Sequence, residues 1–183
     1  TGELCVARLD GTGERRLTRH LAAALPDLVP HVAESRVFTA PDGTPLQGWV
    51  LRAAETTGAS PLLLDIHGGP HNAWGPALDG VHLYHHELLS RGWTVLLVNP
   101  RGSDGYGEHF YAATAGQWGL LDEGDFLASV DALIDEGLVD AGKVVVTGYS
   151  YGGYMTCWLS ARRPERWAAA IPGGVVVDLA SMA

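Results

Sequence analysis

The 183 residues suffice for one domain of ordinary size, and at 46% hydrophobic they can bury a core, yet no apolar run is long enough to span a bilayer. A net charge of -9 argues against a nucleic-acid backbone as partner. The two cysteines, Cys5 and Cys157, stand far apart and in no metal-ligand spacing; this fits a reducing, cytoplasmic compartment or simple burial better than a disulfide framework. The sequence opens on Thr1 without a leader, so the expectation is a segment that begins inside a longer polypeptide.

Leu4 to Leu9 alternates weakly, Asp10-Gly11-Thr12-Gly13 is a turn signal, and Arg15 to Thr18 follows, which predicts a β-hairpin. An isolated hairpin is marginal in water, so residues 1–20 read as the end of a preceding β-domain. Residues 21–34 hold two prolines up to Pro30 and no clean period, and read as a linker. From residue 35 the pattern changes. Ser35 to Ala40 and Leu46 to Leu51 are strands joined by the turn Pro41-Asp42-Gly43-Thr44. Pro61 to Ile66 is a near-continuous apolar strand, ending in His67-Gly68-Gly69-Pro70. Val81 to Leu89 shows a helix face, Trp93 to Val98 a second buried strand, and Asn99 to Gly107 a turn-rich stretch. Phe126, Val130, Leu133 and Ile134 line one face of a further helix, capped by Asp122 or Asp125 and stopped by Gly137. Ala168 to Ile171 is the last strand, with Val175 to Val177 beyond it. Strands alternating with helices predict a mostly parallel α/β sheet over residues 35–183, with functional loops at the carboxyl ends of the strands.

The sharpest signal is Lys143 to Tyr154. Val144, Val145 and Val146 read as a buried strand, Gly148-Tyr149-Ser150-Tyr151-Gly152 matches G-x-S-x-G, and Tyr154, Met155, Trp158 and Leu159 fall at helical spacing. Strand, sharp turn and helix are what a nucleophile elbow requires, because a serine hydroxyl is a poor nucleophile unless a base can reach it. The N–H of Tyr151, at the start of the helix, is free to face a developing oxyanion. His67-Gly68-Gly69-Pro70 offers the second donor, since two glycines let the backbone pass close to a substrate. His67 is not expected to be the base, which in such hydrolases follows the serine and the acid in chain order. Arg101 either orients loops or pairs with a carboxylate. His82, His85 and His86 lack the glutamate of H-E-x-x-H and read as exposed helix histidines rather than metal ligands; Asp122, Glu123 and Asp125 read as a solvated, capping acidic patch.

Taken together, His67-Gly68-Gly69-Pro70, Asn99 to Gly107, Trp118-Gly119 with Asp122 and Asp125, and Gly148 to Met155 resemble the prolyl oligopeptidase family of serine peptidases, closest to its acylaminoacyl-peptidase and dipeptidyl-peptidase-like branch. The resemblance implies the N-terminal part of an α/β-hydrolase fold, preceded by the last strands of a β-propeller. It implies cleavage of short peptides through an acyl-enzyme on Ser150, with the backbone N–H of Tyr151 and that of Gly69, or of Gly68 in its place, as oxyanion donors and no cofactor or metal. It also places the Tyr151 ring, Val176 and Leu179 in the wall of the primary specificity pocket. The family often has an aromatic residue where Leu179 stands and a proline where Val175 stands, which leaves the pocket size open.

Only 33 residues follow Ser150, all eight histidines precede it, and Asp178 is the one aspartate after it, too early by the family's spacing to be the triad acid. The acid and histidine are therefore expected downstream, the rest of the chain is expected as the segment's partner, and the segment alone is expected to be nearly inactive. Two other readings stand beside this one: an esterase or lipase on the same fold, and a truncated, non-catalytic chain serving as a binding module.

Overall fold

The computed structural model describes residues 2–26, 31–77, 80–178 and 180. In chain order the elements are β1 (Cys5–Val6), β2 (Arg15–Arg16), α1 (His20–Ala24), β3 (Glu34–Thr39), β4 (Pro45–Arg52) and β5 (Ser60–Ile66). They continue with α2 (Tyr84–Ser90), β6 (Thr94–Val98), α3 (Glu108–Ala112), α4 (Leu121–Asp135), β7 (Val139–Tyr149), α5 (Tyr151–Arg162) and β8 (Ala169–Gly173).

Three apolar runs bury both of their faces, and the main sheet is built around them. β5 lies between β6 and β7, parallel to both, and β8 extends the parallel part beyond β7. β4 runs antiparallel to β6, and β3 antiparallel to β4, giving the order β3-β4-β6-β5-β7-β8. Because side chains alternate along a strand, each run feeds two cores. Leu62, Leu64, Ile66, Leu96, Val98, Val144 and Val146 face one side, where Phe126, Val130 and Leu133 of α4 and Tyr151, Met155 and Leu159 of α5 pack on them. Leu63, Val95, Leu97 and Val145 face the other side and meet Leu89 of α2. That side is less covered: a groove of about 1160 Å³ runs along it, lined among others by Leu63, Val145, Trp74, His85 and Ile171.

At the end of the sheet away from the functional loops, the Arg52 guanidinium draws three strands together. It donates to Ser60 Oγ (2.9 Å) on β5, Thr94 Oγ1 (2.9 Å) on β6 and the Leu138 carbonyl (2.7 Å) before β7. Ser60 Oγ and Thr94 Oγ1 are themselves 2.7 Å apart.

The expected β-hairpin is present as β1 and β2, paired antiparallel in a sheet of their own. The stretch read as a linker starts inside a short helix, α1, because Glu3 reaches across and accepts from the Leu21 (3.1 Å) and His20 (3.1 Å) N–H groups; residues 27–30 lie outside the described residues. The helix expected from Val81 begins only at Tyr84, and Val81 itself is exposed. α3 was not foreseen, its five residues being too few to show a period. Among the described residues no helix is long and apolar enough to cross a membrane.

Phe126 is fully buried where α4 meets the sheet. Phe126→Ala is expected to lower unfolding stability by about 3–5 kcal/mol, read from the urea midpoint at unchanged m-value.

Candidate active site

Ser150 joins β7 to α5 with φ 60 and ψ -115, and among the described residues it alone has a positive φ without being glycine. A non-glycine residue holds such a conformation only when its surroundings impose it. Three glycines make room for it. A Cβ on Gly148 would lie 2.6 Å from both the Ile66 carbonyl oxygen and the Gly152 carbonyl carbon. A Cβ on Gly152 would overlap the Ile66 carbonyl oxygen, and one on Gly153 the Gly173 carbonyl oxygen. Ser150 is pinned by its own backbone as well: its N–H donates to Gly173 (3.0 Å) and its carbonyl accepts from Tyr154 (2.9 Å). The N–H of Tyr151, the first residue of α5, has no intrahelical acceptor.

The loop after β5 runs beside this turn. A Cβ on Gly68 would sit 3.2 Å from the Tyr149 carbonyl oxygen and 3.6 Å from Ser150 Cβ. Gly69 is exposed and adopts φ 130, where a Cβ would lie 2.5 Å from the His71 nitrogen. Gly68, past the end of β5, thus lies against Ser150, and Tyr151 follows Ser150 at the start of α5.

His67 holds the start of the loop. It is buried, with Nδ1 2.8 Å from the Gly68 carbonyl and Nε2 3.1 Å from Ser103 Oγ. Burial pushes its pKa below the ordinary histidine value. The ring is then neutral, Nδ1–H donates to the carbonyl and Nε2 accepts from the Ser103 hydroxyl. Both nitrogens are engaged, so this histidine has no lone pair to offer Ser150, in line with its sequence position.

The segment after β6 braces both sides. Arg101 is buried and donates to Asp125 through Nε (3.1 Å) and Nη2 (2.6 Å), while its own N–H also reaches Asp125 (2.9 Å) and Nη1 reaches Asp42 (2.5 Å). Of the two roles left open for Arg101, pairing is thus seen directly, and the pairing in turn fixes a loop. Hydrogen bonds to Asp125 hold the guanidinium's pKa above its ordinary value. One turn earlier on α4, Asp122 Oδ2 accepts from the Tyr151 hydroxyl at 2.6 Å and Oδ1 from the Gly119 N–H at 2.7 Å. Burial pushes the Asp122 carboxyl up, opposed by those two donors.

Several expectations need correction. The Tyr151 ring does not wall an open pocket: it is 1% exposed, set edge-on against Trp118 with centroids 5.2 Å apart, and its hydroxyl is spent on Asp122. Asp122, Glu123 and Asp125 are not a solvated patch, because each is buried against a donor, Glu123 taking the Trp158 indole N–H (2.8 Å) and Arg162 Nε (2.7 Å). Nor are the histidines of α2 freely exposed. His85 is buried with Nε2 2.6 Å from Asp65 Oδ2, a carboxylate that also accepts from the Tyr84 hydroxyl. Among the described residues no group of three or more His, Cys, Asp or Glu is placed to hold a metal ion. Val176 follows β8 and is half-buried, whereas Leu179 lies outside the described residues.

Known proteins are similar to this chain in sequence and in fold. The profile of the prolyl oligopeptidase family matches residues 81–183, more than half of the chain. The uncharacterized peptidase YuxL of Bacillus subtilis (strain 168) is 35% identical over 170 residues, covering 90% of this chain and 24% of that protein. The Pyrococcus horikoshii acylaminoacyl peptidase superposes with a TM-score of 0.78 at 30% identity, over 87% of this chain and 26% of that one. An acylaminoacyl peptidase in complex with Z-Gly-Gly-Phe-chloromethyl ketone gives 0.77 at 29% identity, over 88% and 26%. The chain thus spans about a quarter of the length of these relatives. With an α/β-hydrolase sheet, a strained Ser150 at its centre and a family profile running through that serine, the chain belongs to the prolyl oligopeptidase family.

Proposed function

We propose that the polypeptide is a serine peptidase acting on short peptides, with Ser150 as nucleophile. The observation that carries this is the positive φ of Ser150 in a turn where Gly148, Gly152 and Gly153 have no room for a side chain. Strain of this kind at a half-buried serine favours a functional role, because folding alone would select a relaxed residue. The peptidyl ketone bound by the similar acylaminoacyl peptidase supports a peptide as substrate. Two cysteines without a disulfide agree with a reducing, cytoplasmic setting.

In this reading Ser150 Oγ attacks the scissile carbonyl carbon while a histidine takes its proton. The carbonyl π electrons move onto oxygen, which the Tyr151 and Gly69 N–H groups receive from two directions. Collapse expels the amine, protonated by the same histidine, and leaves an ester on Ser150; water then repeats the sequence and frees the acid. That histidine and its acid follow the serine in chain order, as in other α/β-hydrolases. No histidine stands among residues 151–183 to take the part. Val176 and Leu179 are retained as candidates for the specificity pocket, and residues 1–20 as the close of a preceding β-domain.

The decisive measurement is turnover of a peptide anilide by the intact natural polypeptide and its Ser150→Ala variant. Loss of at least about 10³-fold in kcat is expected, and persistence of turnover would remove the proposal. Parallel rates on a simple ester separate peptidase from esterase. A second expectation concerns His67, whose buried ring is held neutral. A folded pKa below the unfolded one means that its contribution is complete above about pH 6.5 and is lost as pH falls through the folded value. The urea midpoint should therefore drop more steeply between about pH 7 and pH 5 for the parent than for His67→Gln, and equal slopes would contradict a neutral His67.

A further inference from the structure

We infer that Asn99 is a positioning residue that holds the loop bearing Gly69 in register with Ser150. This inference rests on the reading of Ser150 as nucleophile and of Gly69 as an oxyanion donor. Asn99 follows directly on β6, is fully buried, and is anchored by its own N–H to the Gln47 carbonyl of β4 at 2.9 Å.

Its side-chain amide does what a neighbouring strand would do for one residue, Trp74. Oδ1 accepts from the Trp74 N–H at 2.7 Å, and Nδ2 donates to the Trp74 carbonyl at 3.0 Å. The second Nδ2 hydrogen goes to the Tyr106 hydroxyl at 2.7 Å, which donates onward to Gln47 Oε1 at 2.5 Å. The orientation of the amide is therefore fixed, since one end meets a donor and the other meets two acceptors. Trp74 is held from other sides too. Its indole N–H donates to the Asp65 carbonyl of β5 (3.1 Å), and its carbonyl also accepts from the Trp49 indole (2.9 Å).

The consequence is a loop fastened at both ends. His67 ties the start to Ser103, and Asn99 ties the end at Trp74. The segment after β6 also grips the middle, with His71 Nδ1 on the Gly102 carbonyl (3.0 Å) and the Asp104 N–H on the Asn72 carbonyl (3.0 Å). Pairing both polar groups of one residue fixes two peptide planes, which burial of apolar area alone does not do. An oxyanion donor works within a few tenths of an ångström, and a displacement of about 1 Å costs on the order of 10²-fold. A fully satisfied buried network of this kind trades adaptability for a unique geometry.

Asn99→Asp keeps the shape but turns a carboxylate oxygen toward the Trp74 carbonyl, and Asn99→Ala removes both bonds. In the intact natural polypeptide each is expected to lower kcat on a peptide anilide by about 10²-fold, with KM within about threefold of the parent. The inhibition constant of a peptide aldehyde, whose adduct carries an oxyanion, should rise by a matching factor, which a general loss of stability would not produce. Tyr106→Phe withdraws one partner of Nδ2 and should lower kcat by roughly three- to tenfold with the same signature. Asn99 variants that fold and keep kcat and aldehyde affinity within about threefold overturn the inference; should neither fold, an unchanged kcat in Tyr106→Phe overturns it. Ser150→Ala measured in the same series separates the two levels: if it retains turnover the nucleophile reading falls, and if it is dead while the Asn99 variants are unaffected, only this inference falls.

Discussion

The first turn of α5 approaches the ends of β5 and β8 at backbone contact, and the rest of the site depends on that approach. Ordinary helix–sheet packing keeps a layer of side chains between the two backbones. Here Gly152 faces the Ile66 carbonyl and Gly153 the Gly173 carbonyl with no space for a methyl group. Three consequences follow from the same closeness. The chain must turn so sharply at Ser150 that its φ becomes positive. The start of α5 comes level with the loop after β5, so Gly68 lies against Ser150. And the Ser150 N–H is claimed by Gly173, which fixes β8 against the turn. Close packing, strain and alignment are thus one geometric fact.

α4 supplies the electrostatic counterpart. Asp122 and Asp125 stand one turn apart on the helix, and each grips a different arm of the site. Asp122 receives the hydroxyl of Tyr151, next to Ser150; Asp125 receives Arg101, in the segment that braces the loop after β5. Burying two carboxylates so close together is costly unless each is paired, and the donors that pair them come from the parts that must be aligned. The acids therefore convert a stability requirement into a positional one.

Much of this was legible in the residues. The strands around Leu62, Leu96 and Val145 announce themselves by apolar runs, and the elbow by a pattern whose glycines have a local steric cause. What escaped were features whose cause lies far along the chain. Asp122, Glu123 and Asp125 look like a charged helix start, and only partners 29, 35 and 24 residues away bury them. His85 sits on a face that reads as exposed until Asp65, 20 residues earlier, arrives beneath it. The Tyr151 ring could point outward or inward by local rules, and the inward choice is set by Trp118 and Asp122. α1 and α3, at five residues each, are shorter than any period that could reveal them. Periodicity reports on burial of apolar residues; it is silent on polar groups whose partners are remote.

The Arg52 cluster has a bearing on accuracy at the opposite end of the sheet. A parallel strand can shift along its neighbours only in steps of a residue, each about 3.3 Å, and an odd step also exchanges its two faces. By gripping β5 and β6 at one end, Arg52 sets a common zero for these two strands. Their carboxyl ends launch His67 and Asn99. A guanidinium that touches neither residue thereby acts as the datum from which their relative heights are measured.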